Sequence, residues 1–270
     1  MKSLTYGFMQ HLFYFWTEPA SAAILGVQPV RIVLLGAIAL GGISQIIAVP
    51  SAFAGTPILL ASNYCEGPSR DGLINGKGIC TFPSGNRYEG DLDDSRRQGR
   101  GIFTYANGTR CEGEFRDDML NGRAVCLFPN GDRYDGNFRN SRREGQGSFI
   151  YTDGTRCTGE FHNDMLNGFG ACIFPSGNRY DGMFQENRKQ GRGVFTFATG
   201  LRCEGNFQNE SLSGFGVCVF PSGNRYEGEF WEGKQHGRGT YIFQDGIQVE
   251  GVWKDGKYIN GNGNRPDLRP

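Results

Sequence analysis

From Asn63 to Gly246 the chain repeats itself with a constant period of twenty-three positions. A period of this length constrains the fold more than any composition does, because it dictates a stack of similar units. Asn-Arg-Tyr-Glu-Gly at Asn86–Gly90 returns as Thr-Arg-Cys-Glu-Gly at Thr109–Gly113 and as Asp-Arg-Tyr-Asp-Gly at Asp132–Gly136. The series continues to Asn224–Gly228; eight full copies run head to tail, and a ninth degrades after Ile247. Such units bury their apolar faces mainly on their neighbours, so the expected body is one elongated array. Gly supplies 43 of 270 residues, more than twice the usual ~7%. Its spacing is periodic, which marks turns and close packing, not disorder.

The copy spanning 86–108 shows what the unit is. Tyr88, Gly90 and Leu92 alternate with Arg87, Glu89 and Asp91, the period of a half-buried strand. A polar turn over Asp94–Gln98 follows, after which Gly101, Phe103 and Tyr105 alternate with Arg100, Ile102 and Thr104. A second turn, Ala106–Gly108, leads into the next copy. Two short strands joined by Gly- and Asn-containing turns predict an antiparallel hairpin. No 3.6-residue stripe supports a helix. The mid-strand glycines, such as Gly90, Gly113 and Gly136, are expected where a neighbouring ring lies against bare backbone.

Tyr88-Glu89-Gly90-Asp91-Leu92, Gln98-Gly99-Arg100-Gly101 and Tyr105-Ala106-Asn107-Gly108 resemble the membrane occupation and recognition nexus (MORN) repeat. The best single match is Tyr226–Phe230 with His236–Tyr241 and Asp245-Gly246, and the resemblance spans roughly residues 63–256. It implies an all-β fold, a single elongated antiparallel sheet of stacked β-hairpins, and the scaffold and membrane-tethering roles of that family. The chain departs from the family pattern in its cysteines and in Ala124, which replaces a glycine.

Alternate copies exchange an aromatic pair for a cysteine pair. Cys65 and Cys80, Cys111 and Cys126, Cys157 and Cys172, and Cys203 and Cys218 all share one spacing. The intervening copies carry Tyr88 and Phe103, Tyr134 and Phe149, Tyr180 and Phe195, and Tyr226 and Tyr241. Two positions that switch chemistry together are expected to touch, and a hairpin places them opposite each other at about 4.5–5.5 Å. Cysteine-bearing hairpins are separated by an aromatic one, which puts different pairs roughly 20 Å apart. Four bridges within hairpins are therefore expected. Free buried cysteines are the alternative. A zinc site is disfavoured, because there is no C-x₂-C and no ligand cluster around His162 or His236.

The segment 1–54 is a different kind of sequence. Lys2 and Arg31 are its only basic residues, and Arg31 precedes the apolar run Ile32–Val49. Ala52 and Ala54 then form an A-x-A site ahead of Gly55, the order expected of a secretory signal. The expected organisation is a signal peptide or anchor with a hydrophobic leader helix at 1–54 and a linker at 55–62. The repeat array follows at 63–259, and a polar tail at 260–270. Cleavage would release the array to a periplasm, lumen or extracellular space. The alternative is an uncleaved anchor at 32–49 holding the array on the non-cytoplasmic side of a membrane. Either route places the cysteines in an oxidising compartment.

The 28 basic and 28 acidic residues balance, which argues against a nucleic-acid partner. Charge instead alternates at the hairpin turns. Even copies carry Arg96-Arg97, Arg142-Arg143, Arg188-Lys189 and Lys234; odd copies carry Asp117-Asp118-Met119-Leu120, Asp164-Met165-Leu166 and Glu210-Ser211-Leu212. This is either an edge for an acidic partner or anionic lipid headgroup, or compensation between adjacent turns. On the polar face, Arg87, Arg110 and their equivalents run beside Glu89 and Glu112, and are expected to form cross-strand pairs. No catalytic, cofactor-binding or metal-ligating set stands out from its own repeats. The expected function is a non-enzymatic, exported binding or scaffold module. Its partner is a protein or cell-envelope component, met along the turn edge or an aromatic-lined concave face. The alternative is a membrane-anchored, lipid-associated protein using the basic turns, and an enzyme ranks third.

Overall fold

The computed structural model describes residues 63–259. The expected leader helix, the Ala52–Gly55 cleavage site and the 260–270 tail lie outside the described residues.

The array begins with β1 (Tyr64–Glu66), a small hairpin of β2 (Ser69–Arg70) and β3 (Leu73–Ile74), and β4 (Gly76–Thr81). Strands of seven and nine residues then alternate, starting with β5 (Arg87–Asp93), β6 (Arg96–Thr104), β7 (Arg110–Arg116) and β8 (Met119–Leu127). Next come β9 (Arg133–Arg139), β10 (Arg142–Ile150), β11 (Arg156–His162) and β12 (Met165–Ile173). They are followed by β13 (Arg179–Gln185), β14 (Arg188–Thr196), β15 (Arg202–Gln208) and β16 (Ser211–Val219). The last are β17 (Arg225–Trp231), β18 (Lys234–Ile242), β19 (Gln248–Lys254) and β20 (Lys257–Tyr258). Apart from the separate β2–β3 pair, they form one sheet of 18 strands. β1 pairs with β4, and from there each strand pairs antiparallel with the next in sequence.

The hairpin turns are tighter than the expected Asp94–Gln98 loop. Asp93 pairs with Arg96, so only Asp94 and Ser95 turn the chain, at φ of 46° and 61°. Two positive φ values define the mirror-image turn whose twist matches a hairpin. The remaining residues of the expected loop instead extend β6 through a bulge. Leu92 faces Arg97 and Gly90 faces Gly101, so three residues of β6 oppose the single Asp91. The Asp91 carboxylate accepts the Arg100 N–H at 3.1 Å, filling the gap that the bulge leaves in the ladder.

Every long strand contributes one glycine or alanine to a line crossing the sheet. Gly78, Gly90, Gly101, Gly113, Ala124, Gly136, Gly147 and Gly159 pair in succession, and the line continues to Gly251. The expected ring against bare backbone is present, and it belongs to the same hairpin. A Cβ on Gly101 would lie 2.3 Å from the Tyr88 hydroxyl oxygen. The buried Tyr88 ring therefore lies on the glycine pair, and its hydroxyl donates to the Asp91 carbonyl at 2.8 Å. Tyr134, Tyr180 and Tyr226 repeat the arrangement. In the cysteine hairpins a leucine takes that space: the Leu166 side chain lies 3.0 Å from where a Gly159 Cβ would be.

Candidate functional site

Three surfaces of the array invite a partner: the turn edge, the aromatic face and the polar face. Their geometries differ.

At the turn edge, the second residue of each hairpin turn is tied to a residue of the preceding hairpin. Ser95 N–H donates to the Ile74 carbonyl at 2.9 Å, and the Ser95 hydroxyl accepts the Ile74 N–H at 2.9 Å. Ser141 does the same to Leu120, and Asn187 to Leu166. Where the upstream residue is basic, the turn residue is acidic. Arg97 pairs with Asp118 at 3.2 Å, Arg143 with Asp164 at 3.4 Å and Lys189 with Glu210 at 3.2 Å. The charge alternation at the turns is thus coupled to the alternation of rings and cysteines.

These three cations also fold over aromatic rings. Arg97 sits 4.7 Å from the Phe103 centroid, Arg143 5.2 Å from that of Phe149, and Lys189 5.3 Å from that of Phe195. Of the residues expected to form a basic edge, Arg97, Arg143 and Lys189 are therefore turned inward and paired. Arg96, Arg142, Arg188 and Lys234 remain exposed. Arg96 lies 3.8 Å from Asp117, and Arg142 donates to the Asn163 side-chain oxygen at 3.2 Å.

The aromatic face is closed by its own packing. Tyr88, Tyr134, Tyr180 and Tyr226 are each 0% exposed. Each meets a ring of the following hairpin edge to face: Tyr88 with Phe115 at 5.1 Å, Tyr134 with Phe161 at 5.0 Å, Tyr180 with Phe207 at 4.9 Å and Tyr226 with Trp253 at 5.0 Å. Burial pushes the phenols of Tyr88, Tyr134 and Tyr226 up to about 12, and that of Tyr180 higher still. Cys65–Cys80, Cys111–Cys126, Cys157–Cys172 and Cys203–Cys218 are bridged between these aromatic layers.

The polar face carries ion pairs both within strands and across them. Arg87 reaches Glu89 at 2.9 Å, Arg110 reaches Glu112 at 3.2 Å and Arg202 reaches Glu204 at 2.9 Å. The expected cross-strand pairs form where the register offers them, as Lys77 with Asp91 at 3.1 Å and Arg123 with Asp135 at 3.2 Å, but not at every arginine. Across the ladder Arg87 meets Thr81 and Thr104, and Glu89 meets Ile79 and Ile102. No opposite charge is offered there, so the residue two places along the strand, on the same face, becomes the partner.

This face also opens into a cleft of about 690 Å³ floored by Gly136, Gly147, Gly159 and Gly170. Arg123, Gln146 and Phe169 line it, with Asp135, Ser148 and Glu160 on its walls. Arg123, Gln146 and Phe169 hold the same place in successive repeats, and the row continues as Arg192, Phe215 and Arg238. Phe169 is 63% exposed and Phe215 67%, and Met183 stands directly across from Phe169. Large exposed rings among the charged and aliphatic side chains of this face mark it as the candidate site. Neither Phe169 nor Phe215 was singled out from the sequence. The available signal was that an arginine position, Arg123, becomes phenylalanine in the next two cysteine copies.

Fold and surface together define a repeat protein: one meandering sheet, stapled at alternate hairpins, with a closed aromatic face and an open polar one. The MORN-repeat family model matches eight consecutive copies, 65–87, 88–110, 111–133, 134–156, 157–179, 180–202, 203–225 and 226–248. The chain belongs to the MORN-repeat family. No curated protein matches it in sequence. Among solved structures it is similar to the TCP10 domain of Danio rerio CPAP, with a TM-score of 0.43 and 21% identity over 72% of this chain and 91% of that one. It is also similar to the TCP domain of SAS-4 (dCPAP) of Drosophila melanogaster, solved with a proline rich motif of Ana2. There the TM-score is 0.39 and the identity 16%, over 70% of this chain and 97% of that one.

Proposed function

We propose that this chain is an exported, non-enzymatic binding module that engages a protein partner through the polar face of its sheet. The observation that carries the reading is the row of exposed side chains that lines the glycine-floored cleft at Phe169 and continues beyond it to Phe215. A sheet pinned every second hairpin by a disulfide presents such a row with little conformational freedom to lose on binding. Four bridges fit an oxidising compartment, consistent with residues 1–54 acting as an export signal.

The turn edge is the weaker candidate, because three of its seven basic side chains, Arg97, Arg143 and Lys189, are spent on internal pairs and rings. Capture from the exporting compartment tests this. Phe169→Ser should lose the partner, while Arg96→Glu with Arg142→Glu should keep it; the reverse result sinks the reading. N-terminal sequencing of the native protein tests export: a start at Gly55 marks release, and a start at Met1 marks an anchor.

A further inference from the structure

Phe169, Arg192 and Phe215 hold one position in three successive repeats, on β12, β14 and β16. All three are exposed. Met183 faces Phe169 and Asn206 faces Arg192 across the ladder. Arg192 forms no ion pair among the described residues, unlike Arg179 and Arg202, which are held by Asp181 and Glu204. Along the long axis of the sheet the face therefore reads ring, free cation, ring. No carboxylate stands directly opposite the middle position.

The spacing selects the conformation of what can lie along it. Two strands advance the sheet by about 9.6 Å, so the three points span about 19 Å. A polyproline II helix has three residues per turn and rises about 9.3 Å per turn, presenting every third side chain on one side. Over two steps it slips by only about 0.6 Å against the row. An extended strand covers the same distance, but its third residue points to the opposite face, away from Arg192. An α-helix brings residues seven apart to one face at about 10.5 Å and slips by nearly 2 Å over the same two steps. Charge settles the chemistry of the middle contact: an unpaired guanidinium between two rings takes a carboxylate.

We infer that the polar face binds a polyproline II segment carrying an apolar side chain, an acidic one three residues on, and a second apolar one three residues further. This rests on the reading of that face as the protein-binding surface. Phe169 and Met183 seat the first apolar side chain, Arg192 the carboxylate, and Phe215 the second apolar side chain. Recognition by rings under a preformed, low-entropy helix matches the way aromatic grooves take such segments.

The test uses the full, natively oxidised chain and a fluorescein-labelled peptide, Pro-Pro-Leu-Pro-Pro-Asp-Pro-Pro-Leu-Pro-Pro, read by anisotropy. The expected result is saturable binding, weakened at least tenfold when the aspartate is moved next to the first leucine. Arg192→Glu should weaken binding at least tenfold as well, and a peptide with lysine in place of aspartate should recover it. Both residues altered are exposed, and unchanged near-ultraviolet circular dichroism confirms that the variants fold. Equal binding of the shifted peptide, or no binding of either, overturns the inference. If Phe169→Ser still abolishes capture of the native partner while the peptide fails to bind, the inference falls and the broader reading stands. If neither depends on Phe169, both fall.

Discussion

Asp118 and Arg97 are joined at three points across neighbouring hairpins. The Asp118 N–H donates to the Arg97 carbonyl at 3.1 Å, and its Oδ1 accepts the Arg97 N–H at 2.9 Å and Nε at 3.2 Å. A strand ladder ends at a turn, so backbone groups beyond it need partners. This contact supplies them from the next repeat. It also fixes Arg97 over Phe103 and beside Phe82 and Phe115, each within 5.9 Å.

Asp118→Ala should therefore loosen two hairpins, not one. The Arg97 amide loses its acceptor while its side chain stays half buried, at a cost of about 1–2 kcal/mol. Asp118→Asn keeps the Oδ1 acceptor and should cost about half as much. Hydrogen exchange reads this locally: the Arg97 amide should exchange about tenfold faster in the alanine variant. Unchanged exchange at Arg97 would show that the contact contributes nothing.

The glycine line predicts a steep steric penalty at one position and a mild one at another. A Cβ on Gly101 would sit 2.3 Å from the Tyr88 hydroxyl oxygen and 2.4 Å from its ring carbon. Gly101→Ala should destabilise the array by about 1–3 kcal/mol through overpacking. At Gly214 a Cβ meets nothing within 4 Å, although φ is +75°. Gly214→Ala should cost only the backbone strain, about 1 kcal/mol. Thermal midpoints rank the two, and Tyr88→Leu in the Gly101→Ala background should recover part of the loss.

The hairpins and the facing cysteine positions were legible because they depend on period alone. Tyr88 and Cys111 occupy the same slot in consecutive repeats, and the slot pairs with Phe103 or Cys126 whatever the curvature of the sheet. The two-residue turns were not, because positive φ at both positions usually calls for Asn-Gly, whereas the chain has Asp94-Ser95 and Glu186-Asn187. Those residues serve the neighbouring hairpin, a long-range role that no local turn rule records. The direction of the open cleft was likewise hidden. Alternation along a strand assigns faces without saying where one of them opens into a cleft.

Each bridge should act locally, since a repeat array distributes its stability between neighbours. Cys157 and Cys172 close a loop with a sequence separation of 15, worth about 3 kcal/mol in the chain-entropy model. Removing both, as Cys157→Ser with Cys172→Ser, should raise exchange and proteolysis in β10 to β13 while leaving β5 to β8 protected. Loss of protection along the whole array would show one cooperative body instead. Alkylation of the intact native protein without reductant should label no cysteine of the array, because all eight are bridged.

Tyrosines raised by burial set an alkaline limit to the fold. Burial raises Tyr88, Tyr134 and Tyr226 from 10.0 to about 12 and Tyr180 further. A folded pKa above the unfolded one means that the unfolded state releases its proton first. The contribution of each phenol to stability is therefore complete below pH 10 and is lost as pH rises from 10 towards 12. Their losses fall in the same window and add, so unfolding should steepen with pH. Stopped-flow absorbance near 295 nm after a jump to pH 11.5 should show these phenols ionising with unfolding and not before it. Tyr151 is raised to about 12 as well, so Tyr134→Phe removes one of at least five such protons, and the pH dependence of stability there should fall by about a fifth or less. Ionisation in the dead time with the sheet intact would mean that the rings are not sealed on their glycines.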